Sequence, residues 1–199
     1  MRPGATLVLA AAAALTGCTI APAPAGGPDM ANVGVLPPPG YGTLLQREVS
    51  ISLVSRDLEI LVTPLHESVI RVTAPDTYRR LSAIAEAHRT TSNTATSIFL
   101  VSLFSERSDV RFVPEEVQLI SRGLRIRAGS ITPITPTWGR HRIQQRQTET
   151  AVYSFTGDVD LESDLVLAYG LDETRAWSAI LTRIQAERAR ARVRAGIGR

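Results

Sequence analysis

Carboxylate side chains recur at every second position between residues 158 and 164, and they form the densest set of potential ligands in the sequence. The four residues are Asp158, Asp160, Glu162 and Asp164. Carboxylate oxygens are ligands that calcium prefers. The run departs from the EF-hand loop, because Ser163 stands where that loop needs glycine and Tyr169 where it needs glutamate. A solvated strand edge, or a loop that neutralises C-terminal arginines, would explain the same pattern without a metal.

A second candidate site combines an aromatic side chain with arginines, in a loop between predicted strands. It contains Trp138, Arg140 and Arg142. The planar guanidinium group matches the oxygen atoms of phosphates and carboxylates. These residues could therefore bind an anionic component, and the structural alternative is a buried tryptophan beside a solvated loop.

Positive charge is concentrated at the C-terminal end of the chain. From Thr174 onward there are seven arginines and one acidic residue, Glu187, whereas residues 18–173 hold fourteen arginines and eighteen acidic residues. The candidate interaction residues in this segment are Arg188, Arg190, Arg192 and Arg194. Such a cluster can contact anionic lipid head groups or an acidic partner protein, while a solvated helix face is the plain alternative.

The residue types needed for catalysis do not form a recognisable set. The histidines, His66, His88 and His141, show no metal-ligand spacing. His66 and Ser68 lie too close in the sequence, on either side of Glu67, for all three side chains to be expected to face one point. Phosphate-binding glycine loops and the Gly-x-Ser-x-Gly motif are also missing. We predict that the chain is not an enzyme and has no catalytic residues.

Apolar and polar residues alternate over short segments, which is typical of half-buried strands. The segments are residues 48–54, 58–62, 68–73, 97–104, 117–120, 124–128, 148–156 and 165–169. Gly123 favours a hairpin between two of them, and Pro133 and Pro136 suggest that the segment from Ile131 is extended at a sheet edge. We predict a mainly β domain, an antiparallel β-sandwich with an Ig-like arrangement as one form of it, although the cysteine and tryptophan markers of true Ig domains are missing.

Helical spacing of apolar residues predicts two helices. The first is a short internal helix that starts at Thr73 or Asp76 and ends before the polar run at residues 90–96. The second starts at Asp172 or Thr174, and its apolar face consists of Trp177, Ile180, Leu181 and Ile184. Beyond Gln185 that face fades, so we expect the second half of this helix to project from the domain or fray.

The N-terminal residues have the parts of an export signal: Arg2, then an apolar run from Ala5 to Leu15 that is too short to cross a bilayer. The run ends in Leu15-Thr16-Gly17-Cys18, which resembles the lipobox of bacterial lipoproteins. The resemblance implies cleavage before Cys18 and covalent lipid on this cysteine, the single one of the chain. Because Thr19 is not aspartate, the resemblance also favours the outer membrane in a Gram-negative cell.

These features divide the sequence into four parts. Residues 1–17 are the predicted signal peptide, 18–43 an acylated N-terminus with a Pro/Ala/Gly-rich tether, 44–173 the β-rich domain and 174–199 the C-terminal helix. Such a tether composition favours extended chain; the alternative is an N-terminal arm that packs on the domain through Val33, Val35 and Leu36. With no second cysteine, the domain must be stabilised without a disulfide.

Three functions are consistent with this sequence. The preferred one is a non-catalytic binding module of the cell envelope, held to the membrane by its lipid and recognising a protein or an anionic envelope component. The second is a structural or assembly factor that docks through the arginine-rich helix, and the third is an envelope hydrolase. We expect no nucleic-acid partner, because an exported protein does not meet one. We also expect no cofactor besides the covalent lipid, with calcium at residues 158–164 as the alternative.

Overall fold

Ten β-strands and three α-helices follow one another in the computed structural model, which describes residues 35–89, 96–157 and 159–197. The strands are β1 (Ile51–Ser55), β2 (Leu58–Pro64), β3 (Thr96–Phe104), β4 (Val110–Arg111), β5 (Val117–Ser121), β6 (Leu124–Pro133), β7 (Arg142–Ile143), β8 (Thr148–Thr156), β9 (Leu165–Tyr169) and β10 (Asp172–Thr174). The helices are α1 (Glu67–Ile70), α2 (Pro75–Arg89) and α3 (Trp177–Arg194). The prediction of a mainly β chain with an internal and a C-terminal helix is confirmed.

Eight strands form one antiparallel sheet in the order β1-β2-β3-β8-β6-β5-β9-β10, and β4 pairs separately with β7. The two edge strands approach each other, and the Ser55 hydroxyl donates to Asp172 Oδ2 across them at 2.6 Å. The sheet is therefore curled into a nearly closed, barrel-like form. The predicted sandwich needs two facing sheets, and neither that arrangement nor its Ig-like form is clearly present, because hydrogen bonds run through all eight strands.

The inner face of the curled sheet holds the main hydrophobic core. Tyr153, Phe99 and Phe155 are fully buried there, and Trp177 of α3 closes the core. A second cluster lies on the outer face, where Leu81 and Ala85 of α2 pack with side chains of β3 and β8. Because β3 and β8 are covered on both faces, consecutive side chains are buried at residues 98–101 of β3 and 151–155 of β8.

Two local predictions are wrong. Residues 68–73 were expected to form a strand, but α1 occupies Glu67–Ile70, because His66 caps its first turn. Residues 172–174 form β10, so the C-terminal helix begins at Trp177 rather than earlier. The predicted edge segment from Ile131 is confirmed where it lies in β6, because residues 131–133 pair with β8 on one side only and β5 pairs with residues 124–127.

The second half of α3 also differs from the prediction. The helix continues to Arg194 and keeps Glu187 and Ala191 buried. As expected, few apolar residues follow Gln185. The buried side of this part of the helix consists instead of Ala191, which is small, and Glu187, whose carboxylate has hydrogen-bond partners. This half of the helix therefore packs on the domain instead of projecting from it.

Residues 37–44, most of them assigned to the tether, lie against the folded body. Gly42 packs so closely on Val72 that a Cβ at this position would come within 2.1 Å of the Val72 carbonyl carbon. The Leu44 amide donates to the Val72 carbonyl at 3.1 Å. The predicted signal peptide, Cys18, the tether up to residue 34 and Asp158 lie outside the described residues. None of the described helices is long and apolar enough to span a membrane.

Candidate functional site

A cleft of about 560 Å³ opens at one end of β3. Three segments that are distant in the sequence line it: the connection from β2 to α1, the start of β3 together with the end of α2, and the loop that precedes β9. Its apolar side chains are Leu65, Ile98, Phe99, Val159 and Leu161, and its polar ones include His66, Ser68, Arg89, Asp160 and Glu162. This volume and mixture are typical of small-molecule sites.

His66 stands at the rim of this cleft, directly before α1. Its Nδ1 accepts a hydrogen bond from the Ser68 amide at 3.2 Å and lies 2.7 Å from Ser68 Oγ. Glu67 turns away to pair with Arg71, so the three side chains do not all face one point, as expected, although the capping turn brings those of His66 and Ser68 together. Although the residue is exposed overall, packing around the ring lowers the pKa of His66, and the Arg89 charge lowers it further.

Arg89 is the last residue of α2 and contributes a positive charge to the cleft. Its guanidinium donates to the Leu65 carbonyl at 3.3 Å, and the Leu65 amide donates to the Ile98 carbonyl at 2.9 Å. These contacts connect the end of α2, the residue before His66 and the start of β3. Within the part of the chain that the structure describes, no carboxylate forms an ion pair with Arg89.

The opposite wall carries acidic residues that are already paired with arginines. Asp160 pairs with Arg122 at 2.6 Å, and Glu162 pairs with Arg188 at 2.8 Å. Hydrogen bonds from Arg122 and from the Glu162 amide lower the pKa of Asp160. Neutralisation of C-terminal arginines, an alternative interpretation of this run, is thus observed for Glu162.

The described residues of the acidic run, Asp160, Glu162 and Asp164, are not placed together as a calcium site. Over residues 35–89, 96–157 and 159–197, no three His, Cys, Asp or Glu side chains are placed to hold one metal ion. Asp160 and Glu162 point toward different arginines, and Asp164 is exposed. Calcium binding through this run, including Asp158, therefore stays a prediction without a geometric site among the described residues.

Arg188 joins the two walls of the cleft. Its Nε donates to the Ser68 carbonyl at 3.0 Å, while one terminal nitrogen binds Glu162. The side chain is only 14% exposed, which leaves little of it for an external partner. The sequence identified Arg188 as an interaction residue, and in the structure it links α1, α3 and the acidic loop.

The other arginines of the C-terminal cluster differ in exposure. Arg194 donates to the Tyr41 carbonyl and pairs with Glu187, and Arg192 donates to the Arg188 carbonyl at 3.4 Å. Arg190 is 70% exposed and lies 3.8 Å from Glu187. The predicted cluster is therefore not a uniform basic surface. Among its described members that form an ion pair, Arg190 is the most exposed.

The Trp138 site separates into a buried and an exposed part. Trp138 is 3% exposed and packs edge-on against Phe112, with ring centroids 5.0 Å apart. Arg140 is exposed, and Arg142 pairs with Asp109. The aromatic ring is thus a core residue in this structure, while interaction through the two arginines stays a prediction.

A larger groove of about 990 Å³ lies at the turns β1–β2 and β9–β10. In it Arg107 pairs with Asp57 and Asp172 accepts from Ser55, while Arg56 and Arg111 form no ion pair with a described residue. Its described lining includes no histidine and no counterpart of the close contact between His66 and Ser68. The cleft at His66 is therefore the better candidate site.

His66, Ser68, Arg89 and the apolar floor are functional candidates that the sequence did not reveal. The segments that supply them are far apart in the chain, and no motif links them. The residues His66-Glu67-Ser68 gave no capping signal, because the cap of α1 is a histidine nitrogen rather than one of the usual N-cap side chains. Comparison of the chain with protein-family models, curated proteins and solved structures finds no match.

Proposed function

We propose that this chain is a non-catalytic binding module of a bacterial cell envelope, anchored by lipid on Cys18, and that it binds a small molecule in the cleft beside His66. The resemblance to the lipobox supplies the location, with the outer membrane favoured in a Gram-negative cell. The observation that carries the proposal is the cleft itself. Buried apolar side chains of Leu65, Ile98 and Phe99 lie next to a rim of polar and charged groups, a mixture found in ligand sites.

The polar groups of the cleft support binding better than catalysis. His66 Nδ1 is occupied by the cap of α1, and Asp160 and Glu162 are held by arginines. A general acid or base needs a side chain free to exchange protons with substrate. The short contact between His66 and Ser68 is the one observation that favours a hydrolase, and it keeps that function as a candidate.

An assembly factor that docks through the C-terminal arginines has less support. Arg188 and Arg194 contact other parts of the same chain, so their charges are partly compensated. Removing residues from Arg188 onward would also remove these internal contacts and could unfold the domain. Single charge substitutions at Arg190, which is 70% exposed, give a cleaner test of external docking.

The proposal is tested by what the protein carries when it is isolated from envelopes. Full-length protein is extracted in mild detergent, and the small molecules that accompany it are identified by mass spectrometry. Ser97→Trp places a large side chain in the cleft, and Ser130→Trp on exposed β6 is the matched control. We expect a molecule that is enriched with the wild type and with Ser130→Trp and is lost with Ser97→Trp. Equal recovery from all three would contradict binding in the cleft.

A further inference from the structure

We infer that the ligand of the cleft is a small organic acid with an apolar chain, whose acidic group binds Arg89 and the Nε2–H of His66. The inference rests on the proposed function, because it names the class of ligand for the same cleft. Four observations support it: the position of Arg89, the tautomer of His66, the pairing of the acidic residues with arginines, and the apolar floor.

Arg89 supplies the positive charge. Its guanidinium is held beside the rim by the hydrogen bond to the Leu65 carbonyl, which uses one of five N–H donors. No described carboxylate neutralises it, so the remaining donors can face an incoming anion. An arginine fork binds both oxygens of a carboxylate, and such charge-assisted hydrogen bonds are about twice as strong as neutral ones.

The tautomer of His66 follows from its contacts. Because the Ser68 amide can only donate, Nδ1 must accept and carries no proton in the neutral ring. The proton of neutral imidazole is therefore on Nε2, which makes that nitrogen a donor. No partner for Nε2 is found among the described residues. This N–H adds a second donor on the same rim as Arg89.

The acidic wall does not exclude an anion. The charges of Asp160 and Glu162 are compensated by Arg122 and Arg188. Arg89 therefore remains as the uncompensated charge among the described side chains that line the cleft. A cationic ligand would meet this arginine at the rim, whereas an anionic one would be attracted to it.

The floor fixes the other half of the ligand. Leu65, Ile98 and Phe99 line it, each at most 8% exposed, and the buried Val159 and half-buried Leu161 extend it toward the acidic wall. Apolar surface that a ligand removes from water here contributes about 25 cal/mol per Å². A fully polar anion, such as phosphate, would use the rim but leave the floor without a contact.

Three probes with the same carbon chain test the inference: hexanoate, hexanol and hexylammonium. They are titrated calorimetrically into full-length protein in detergent, with protein-free micelles as the blank. We expect hexanoate to bind about tenfold more tightly than hexanol, and hexylammonium more weakly than either. Arg89→Gln should remove the preference for hexanoate, while Arg89→Lys should retain part of it because the charge is kept.

Arg79→Gln is the matched control, because Arg79 is exposed on the same helix and does not line the cleft. It should leave all three affinities unchanged. Equal affinities for hexanoate and hexanol, or equal losses from Arg89→Gln and Arg79→Gln, would overturn the acid inference. If hexanol binding is nevertheless blocked by Ser97→Trp, the proposed binding cleft survives. If no probe binds, the acid inference fails, and recovery of a native ligand from envelopes decides the proposed function separately.

Discussion

Glu187 on the C-terminal helix accepts hydrogen bonds from both the amide and the hydroxyl of Thr43, 144 residues earlier in the chain, at 3.1 and 2.8 Å. The same carboxylate pairs with Arg194 and is only 2% exposed. It therefore fixes the last turns of α3 to the segment through which the chain enters the domain. Any membrane anchor at Cys18 would be connected to the domain next to this contact.

Replacing Glu187 with glutamine tests the contribution of this contact. The side-chain amide oxygen of the variant can still accept from Thr43. The negative charge opposite Arg194 is lost, and the amide nitrogen that replaces the second carboxylate oxygen is a buried donor. We expect the free energy of unfolding, measured with urea, to fall by about 2 kcal/mol. Arg190→Gln removes an exposed partner of the same carboxylate and should cost less than about 0.5 kcal/mol. Equal effects of the two substitutions would contradict a structural role for the buried carboxylate.

The lowered pKa of His66 predicts a dependence of stability on pH. Burial, Arg89 and Arg188 lower this pKa below 6.5, while Glu67 and Glu162 oppose the shift. As the pH falls below 6.5, the unfolded chain binds a proton at His66 before the folded chain does, so stability decreases until the folded pKa is passed.

His66→Asn isolates this effect, because asparagine keeps a capping oxygen but does not titrate. When the pH is lowered from about 8, the wild type should begin to lose stability relative to the variant near 6.5, the pKa of His66 in the unfolded chain. Urea unfolding at a series of pH values measures the difference. Parallel curves for the two proteins throughout this range would show that His66 does not have a lowered pKa.

Ser68→Ala separates binding from ester hydrolysis. The substitution removes the hydroxyl beside His66 Nδ1 but keeps the amide that caps α1. For a binding module, release of nitrophenolate from 4-nitrophenyl hexanoate should be equally slow with wild type and variant. If the wild type is faster by about a hundredfold or more and the variant loses that rate, the chain is a hydrolase.

Cys18→Ala tests the anchor. Without a thiol for acylation the protein should leave the membrane fraction, and Thr19→Ala should stay in it. Several acyl chains are needed for firm attachment, at about 0.8 kcal/mol per buried methylene group. Membrane association that survives Cys18→Ala but is lost on Arg190→Gln would indicate docking through the C-terminal helix instead of lipid.

Much of the sheet could be predicted from local patterns. Strands β8 and β9 occupy the predicted residues, and the hairpin at Gly123 forms with a φ of +78° at that glycine. Alternation and turn residues report on the chain locally, so they identify strands well. They do not report which strands pair across long distances, and for this reason two sheets were predicted where a single curled sheet forms.

The cleft could not be predicted for the same reason. Leu65, Arg89 and Leu161 meet only because α2 packs on the outer face of β3 and the loop before β9 reaches the same end of the sheet. Arg188 illustrates the opposite case: its charge was evident from the sequence, but its partners Ser68 and Glu162 were not. Charge identifies residues that need a partner and does not show whether that partner is internal.

The most direct measurement is the location of ligand-induced shifts in amide-resolved NMR spectra of the full-length protein in detergent. The small molecules extracted from envelope-isolated protein are returned to protein from which they were removed. We predict shifts concentrated around His66, Ile98 and Leu161, and their loss in Ser97→Trp. Shifts concentrated instead between Arg190 and Arg194, and unaffected by Ser97→Trp, would contradict binding in the cleft and favour docking through the C-terminal helix.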